Sequence, residues 1–151
     1  NEVKRMEREV EELLEREGVL VRAPEERFVQ HLIERNIDDV FSLLNLKLYD
    51  EDPEQVGIQY TTPIGRMDFL AIDKRTGDFV VIELKVGRAT ESSIGQILKY
   101  MGWVKAHLAK DNKNVRGIIL AEDLDEKAKY ALLMTPTVAF KRYKISFQMV
   151  E

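Results

Sequence analysis

The run Phe79-Val80-Val81-Ile82-Glu83-Leu84-Lys85-Val86 constrains this chain more than any other stretch. It is too apolar to be anything but a buried strand. Side chains on a strand alternate, so Val80, Ile82, Leu84 and Val86 share one face and Phe79, Val81, Glu83 and Lys85 the other. A face as continuously apolar as the first suits an inner strand of a sheet. The carboxylate and the ammonium near its end are then partly desolvated, at a cost on the order of several kcal/mol per isolated charge unless each is paired or metal-bound. Charges held at that cost mark candidate functional groups.

Around this strand the hydrophobic period switches between helix and sheet. Residues 2–17 set Val3, Met6, Val10, Leu13 and Leu14 among Glu and Arg at helical spacing and stop at Gly18. Their spacing covers two heptads, fewer than a coiled coil needs. It reads as a helix packed on its own domain, with a dimerising helix or a linker to a further domain as alternatives. Pro24 suits the first turn of a second helix over 25–35, with Phe28, Val29, Leu32 and Ile33 as its stripe. Residues 36–48 continue as helical or irregular chain, and 49–54 as an acidic loop. From Val56 the period is that of strands. Segments 55–62, 67–72 and 79–86 predict three, the last two joined as a hairpin across 73–78. Thr90 is placed to cap a helix over 91–109 whose core stripe is Ile94, Ile97, Leu98, Met101, Val104 and Leu108. A strand over 115–121, a helix over 123–134 and one broken or two short strands over 138–149 complete an α/β sandwich with a mixed sheet.

With 151 residues, 44% hydrophobic positions and no apolar run of eighteen, the chain predicts one domain with a sizeable core and no membrane segment. The first residue is Asn rather than Met, which leaves room for an upstream segment. The absence of Cys removes disulfides, thiolate zinc sites and cysteine nucleophiles, and fits a reducing, cytoplasmic setting. His31 and His107 stand far apart in sequence, so zinc is not indicated. Neither GxxxxGK[ST] nor GxGxxG occurs, which argues against a nucleotide cofactor, and there is no GxSxG element. The net charge of −4 is uneven, −8 over residues 1–55 against +4 over 56–151. A local cationic surface attracts phosphates even on an acidic protein.

Asp68 lies in Gly65-Arg66-Met67-Asp68, ahead of the charged strand. If 67–72 and 79–86 pair as a hairpin, Asp68 at the start of one strand and Glu83 near the end of the other converge. Lys85 emerges on the face of Glu83. Phosphodiester hydrolysis needs an in-line water, neutralised charge in the transition state and help for the leaving alkoxide, all of which carboxylate-held Mg2+ supplies. Mg2+ commonly takes only one or two carboxylates, with waters and phosphate completing its shell. Lys85 would orient or help deprotonate the water, or hold a phosphate oxygen. The competing readings are a turn-forming Asp68 and an ordinary Glu83–Lys85 charge pair. On the following helix, Gln96, Tyr100, Trp103 and His107 form a second stripe, whose polar tips face either a bound backbone or plain solvent. Gly95 and Gly102 in that helix cost about 1 kcal/mol each relative to Ala, which predicts close approach of a strand or a ligand. Arg66, Arg88, Lys99 and Lys105 are candidate phosphate contacts, with Trp103 beside them.

These residues resemble the PD-(D/E)XK nuclease superfamily and its RecB-like branch, where an Asp, a Glu-x-Lys and a Gln-x-x-x-Tyr define the site. Gly-Arg-Met-Asp-Phe-Leu, Val-Ile-Glu-Leu-Lys and Val-Arg-Gly-Ile-Ile-Leu-Ala resemble, more closely, the C-terminal nuclease domain of NucS/EndoMS-type endonucleases, from Glu25 to Val150. The resemblance implies a restriction-endonuclease-like mixed β-sheet flanked by helices, over residues 25–151, and DNA cleavage with Mg2+ or Mn2+. It implies Asp68, Glu83 and the backbone carbonyl of Leu84 as metal ligands and Lys85 as the catalytic lysine. Gln96 and Tyr100 would support substrate and site, and Glu26 would be the first acidic residue, with Glu25 as the competing assignment. Two alternatives stand beside it: a non-catalytic DNA-binding or scaffold member of the fold, and a Holliday-junction-resolvase-like homodimer. NucS-type enzymes carry a separate N-terminal domain for dimerisation and DNA binding, where this chain has residues 1–24.

Overall fold

A computed structural model describes residues 1–14, 25–146 and 148–151. In chain order its elements are α1 (Glu2–Leu14), α2 (Glu26–Arg35), α3 (Ile37–Leu44), β1 (Leu46–Leu48), β2 (Ile58–Thr62), β3 (Gly65–Asp73), β4 (Phe79–Leu84), β5 (Arg88–Ala89), α4 (Glu91–His107), β6 (Val115–Ala121), β7 (Asp123–Leu124), α5 (Glu126–Leu133) and β8 (Val138–Arg142).

The apolar run is the middle of the sheet. All six residues of β4 are buried, and β4 pairs antiparallel with β3 on one side and parallel with β6 on the other. The sheet order is β1-β3-β4-β6-β8, and the nine-residue β3 also holds β2 along its outer edge. The two faces of the strand enter two separate cores. Val80, Ile82 and Leu84 join Val29 of α2 and Phe41 of α3, whereas Phe79 and Val81 join Ile94, Ile97, Met101 and Val104 of α4 and Ala128 of α5. The sheet is thus covered by helices on both faces. Gly117 of β6 lets α4 lie close, since a Cβ there would come within 2.8 Å of the Ile97 and Met101 side chains. No helix among the described residues is long and apolar enough to cross a membrane.

The predicted stop at Gly18, and Val19 to Pro24, lie outside the described residues. Several other sequence expectations need correction. Residues 36–48 hold a helix and a strand. Asn45 ends α3 in the left-handed region at φ 57, its N–H returning to Phe41 and Ser42 carbonyls, and turns the chain into β1. Asp123 and Leu124 pair with β5 instead of starting a helix. Only Val138–Arg142 is a strand in the C-terminal stretch, so no second terminal strand forms among the described residues. Leu98, expected in the core stripe of α4, is 40% exposed. Among the described residues Gly95 and Gly102 are not closely approached: beyond their own helix backbone, a Cβ at either would meet no atom within 4 Å.

Candidate active site

The site lies where β3 and β4 stop pairing. Their ladder ends at Phe69 opposite Ile82. One residue further along β3, the Asp68 carboxylate replaces the missing strand partner, and its Oδ2 accepts the Leu84 N–H at 2.8 Å. β2 and β3 also change faces here. Ile58 and its partner Phe69 pack on the α2/α3 side, whereas Tyr60 and its partner Met67 pack on the α4 side. Residues two apart on a regular strand share a face, so this two-stranded ribbon rolls over between the two pairs, at Gln59 and Asp68. Gln59 absorbs the roll with φ 49, uncommon for a residue other than glycine. Its Nε2 donates to Asp68 Oδ1 at 3.3 Å.

Glu83, on the last turn of alternation in β4, is 3% exposed, and its Oε1 has no hydrogen-bond partner among the described residues. Burial is the main cause that pushes its carboxyl up to about 8, reinforced by the negative charges of Asp68 and Glu26 and opposed by Lys85. Asp68 is raised as well, first by burial, against the Leu84 and Gln59 hydrogen bonds and the charges of Lys85 and Arg66. Glu26, in the first turn of α2, is raised by burial and by Asp68 and lowered by Lys85. Three carboxyls and one ammonium therefore share a field. Of the two candidate first acids, Glu26 faces this group, while Glu25 lies 3.4 Å from Arg5 of α1. Lys85 follows the end of β4 and is held through its backbone: its N–H donates to the Leu120 carbonyl and its carbonyl accepts from the Tyr143 hydroxyl. Its ammonium makes no ion pair among the described residues.

Beside Asp68 opens a cleft of about 950 Å³ lined by Glu26, Gln30, Gln59 and Arg66, with Val3 and Glu7 of α1 on its wall. Gln30 is 8% exposed and donates to Glu34, but its Oε1 is unpartnered among the described residues. Among the described residues, no three His, Asp or Glu side chains converge into a complete metal cage.

The remaining candidates sit at varying removes. Tyr100 is buried in the α4 core and its hydroxyl reaches Gly65, where a Cβ would sit 2.3 Å from it; Gly65, at φ 138, makes that approach feasible three residues before Asp68. Lys99 lies over the Tyr100 ring, 4.6 Å from its centroid. Trp103 packs between Tyr60 and His107, with centroids 6.4 and 4.9 Å away, so the polar stripe read on α4 is largely an aromatic seam. Gln96 is half-buried on the same helix. Arg88 pairs with Asp123 at 3.5 Å. Gln59, Gln30 and Tyr143 were not read from the sequence. Gln59 left no signal, because its role depends on a backbone angle that no Gly or Asn advertises.

A mixed sheet clad by helices, with carboxylates and a lysine gathered at the end of its central hairpin, defines the class: an α/β domain with an acidic site at the sheet's open end. The chain belongs to the endonuclease NucS C-terminal domain family, whose sequence model matches residues 33–146. It is 32% identical over 123 residues to the endonuclease NucS of Aeropyrum pernix, covering 81% of this chain and 44% of that protein. In fold it is similar to a repair endonuclease from Pyrococcus abyssi, with a TM-score of 0.60 and 26% identity over 82% of this chain and 48% of the other. It is also similar to EndoMS in a complex with double-stranded DNA, with a TM-score of 0.62 and 22% identity over 88% of this chain and 50% of the other. The chain thus spans about half the length of the proteins it matches.

Proposed function

We propose that this domain is a divalent-metal-dependent DNA endonuclease, with Asp68 and Glu83 as ligands to Mg2+ or Mn2+. The observation that carries the reading is Glu83 Oε1, a buried carboxylate oxygen with no partner on a group whose proton affinity is raised to about 8. A buried unpartnered oxygen costs about 1–3 kcal/mol or more, and a hard cation relieves that cost. Two carboxylates, with the Leu84 carbonyl, waters and phosphate, fit the few protein ligands that Mg2+ takes. When bound, the ion supplies charge neutralisation and an activated water. Lys85 then holds a non-bridging phosphate oxygen or orients the attacking water, from a position where its charge already acts on all three carboxyls. Hydrolysis breaks one P–O ester bond, and the departing alkoxide takes a proton as water adds to phosphorus. Arg66, on the cleft wall, is a candidate phosphate contact, and Arg88, Lys99 and Trp103 are candidate DNA contacts outside the cleft. Gln96 and Tyr100 support the site from α4, Tyr100 by fixing the Gly65 turn.

The test is cleavage of labelled single-stranded, duplex, mismatched and branched DNA with Mg2+, Mn2+ or EDTA, wild type beside Asp68→Ala. Metal-dependent cutting lost in the variant supports the reading and names the substrate. Binding without cutting moves the domain to the scaffold alternative, and a dimer that cuts only branched DNA moves it to the resolvase alternative.

A further inference from the structure

Gln59 stands out as a residue that pays with backbone strain for one contact. Its φ of 49 lies in the left-handed region, where non-glycine residues cost on the order of 1 kcal/mol or more and cluster at functional sites. It stands opposite Asp68 at the one position of the β2–β3 ladder, between Ile58–Phe69 and Tyr60–Met67, where no backbone pair forms. Its side chain lines the cleft and its amide donates to Asp68 Oδ1 at 3.3 Å, while Leu84 N–H holds Oδ2 at 2.8 Å. Each Asp68 oxygen therefore has one donor, and the carboxylate plane is fixed from both sides with a lone pair left on each oxygen.

We infer that Gln59 is a positioning residue: the roll of the β2–β3 ribbon aims its amide at Asp68 so that the carboxylate stands ready for a divalent cation. The inference deepens the metal-site reading and rests on it. Partners that orient a ligating carboxylate typically contribute about 10–100-fold to metal affinity or activity.

The strain supplies the test, because glycine adopts positive φ freely. Gln59→Gly removes the amide and relieves the backbone together. Calorimetric titration with Mn2+ alone, without DNA, is compared with thermal unfolding for wild type, Gln59→Gly, Gln59→Ala and Asp68→Ala. The expected result is an Mn2+ dissociation constant about tenfold higher in Gln59→Gly, with a melting temperature equal to or above wild type. Gln59→Ala should show the same loss of affinity and a lower melting temperature. Asp68-dependent Mn2+ binding that is unchanged in Gln59→Gly overturns the positioning role and leaves the metal site standing. Wild-type Mn2+ binding that survives in Asp68→Ala, or is absent, overturns both.

Discussion

The β3–β4 hairpin carries an aspartate at each end, Asp73 buried and Asp68 half-buried beside the buried Glu83, and the two have opposite fates. At the closed end, Asp73 is 9% exposed yet saturated: Oδ1 accepts the Arg75 and Thr76 N–H groups at 2.7 and 3.1 Å, and Oδ2 meets Arg116. Those backbone hydrogen bonds, with Arg116, hold its carboxyl below the usual carboxylate range. At the open end, Asp68 is raised by burial in spite of its two donors, and Glu83 beside it keeps an oxygen with no partner among the described residues. The same strand pair thus builds a finished turn at one end and an unfinished electrostatic problem at the other. Burial of a carboxylate is common to both ends; the absence of enough partners separates them.

The sharpest way to break this comparison is to delete a carboxylate at each end. Asp68→Ala or Glu83→Gln should lower DNA cleavage on the order of 10³-fold or more, and Glu83→Gln should do so without lowering the melting temperature, whereas Asp68→Ala also orphans the Leu84 N–H. Asp73→Ala should do the reverse, lowering stability by about 2 kcal/mol and leaving cleavage per folded molecule within about twofold of wild type. Equal activity losses at the two ends, after correction for folded fraction, would erase the distinction.

A second difference lies in the sign of the pH dependence. Glu83 binds its proton more tightly in the folded chain than in the unfolded one, so the folded state holds more protons between the ordinary glutamate range and about pH 8. Stability of the metal-free domain therefore falls as pH rises through that window, by on the order of a few kcal/mol, and Glu83→Gln should flatten the slope. Asp73 is depressed, so its contribution is present at neutral pH and is lost only as pH falls below the usual aspartate range. Thermal unfolding from pH 3 to 9 reads both signs; a Glu83→Gln curve parallel to wild type from pH 5 to 8 would contradict the account. The smallest effect is expected from Arg66→Ala on the cleft wall. It should reduce the salt slope of DNA binding by about one and weaken binding uniformly across sequences, whereas Arg116→Ala, at the closed end, should leave the slope unchanged.

The strand alternation around Glu83 made the central strand, its two faces and the pairing with Asp68 legible, because period two in a fully buried strand admits one arrangement. Glu26 came from the family resemblance alone, with Glu25 as the competing assignment. What stayed hidden depends on geometry without a residue signature. Asn45 stands where a glycine would have announced the end of α3, and Asp123–Leu124 is too short to show a period. Gln59 looks like any polar strand residue until the ribbon is seen to roll there. Tyr100 and Trp103 were read toward a ligand, but the sheet edge claims them first, because large aromatic surfaces pack wherever a neighbouring Tyr60 or Gly65 offers a place.

The most direct measurement is anomalous diffraction from crystals of the domain grown with Mn2+ and a DNA that it does not cleave. The account predicts a single strong peak about 2.1 Å from oxygens of both Asp68 and Glu83, with a phosphate beside Lys85. DNA bound across the carboxylates with no peak there, or a peak held by other residues, would contradict it.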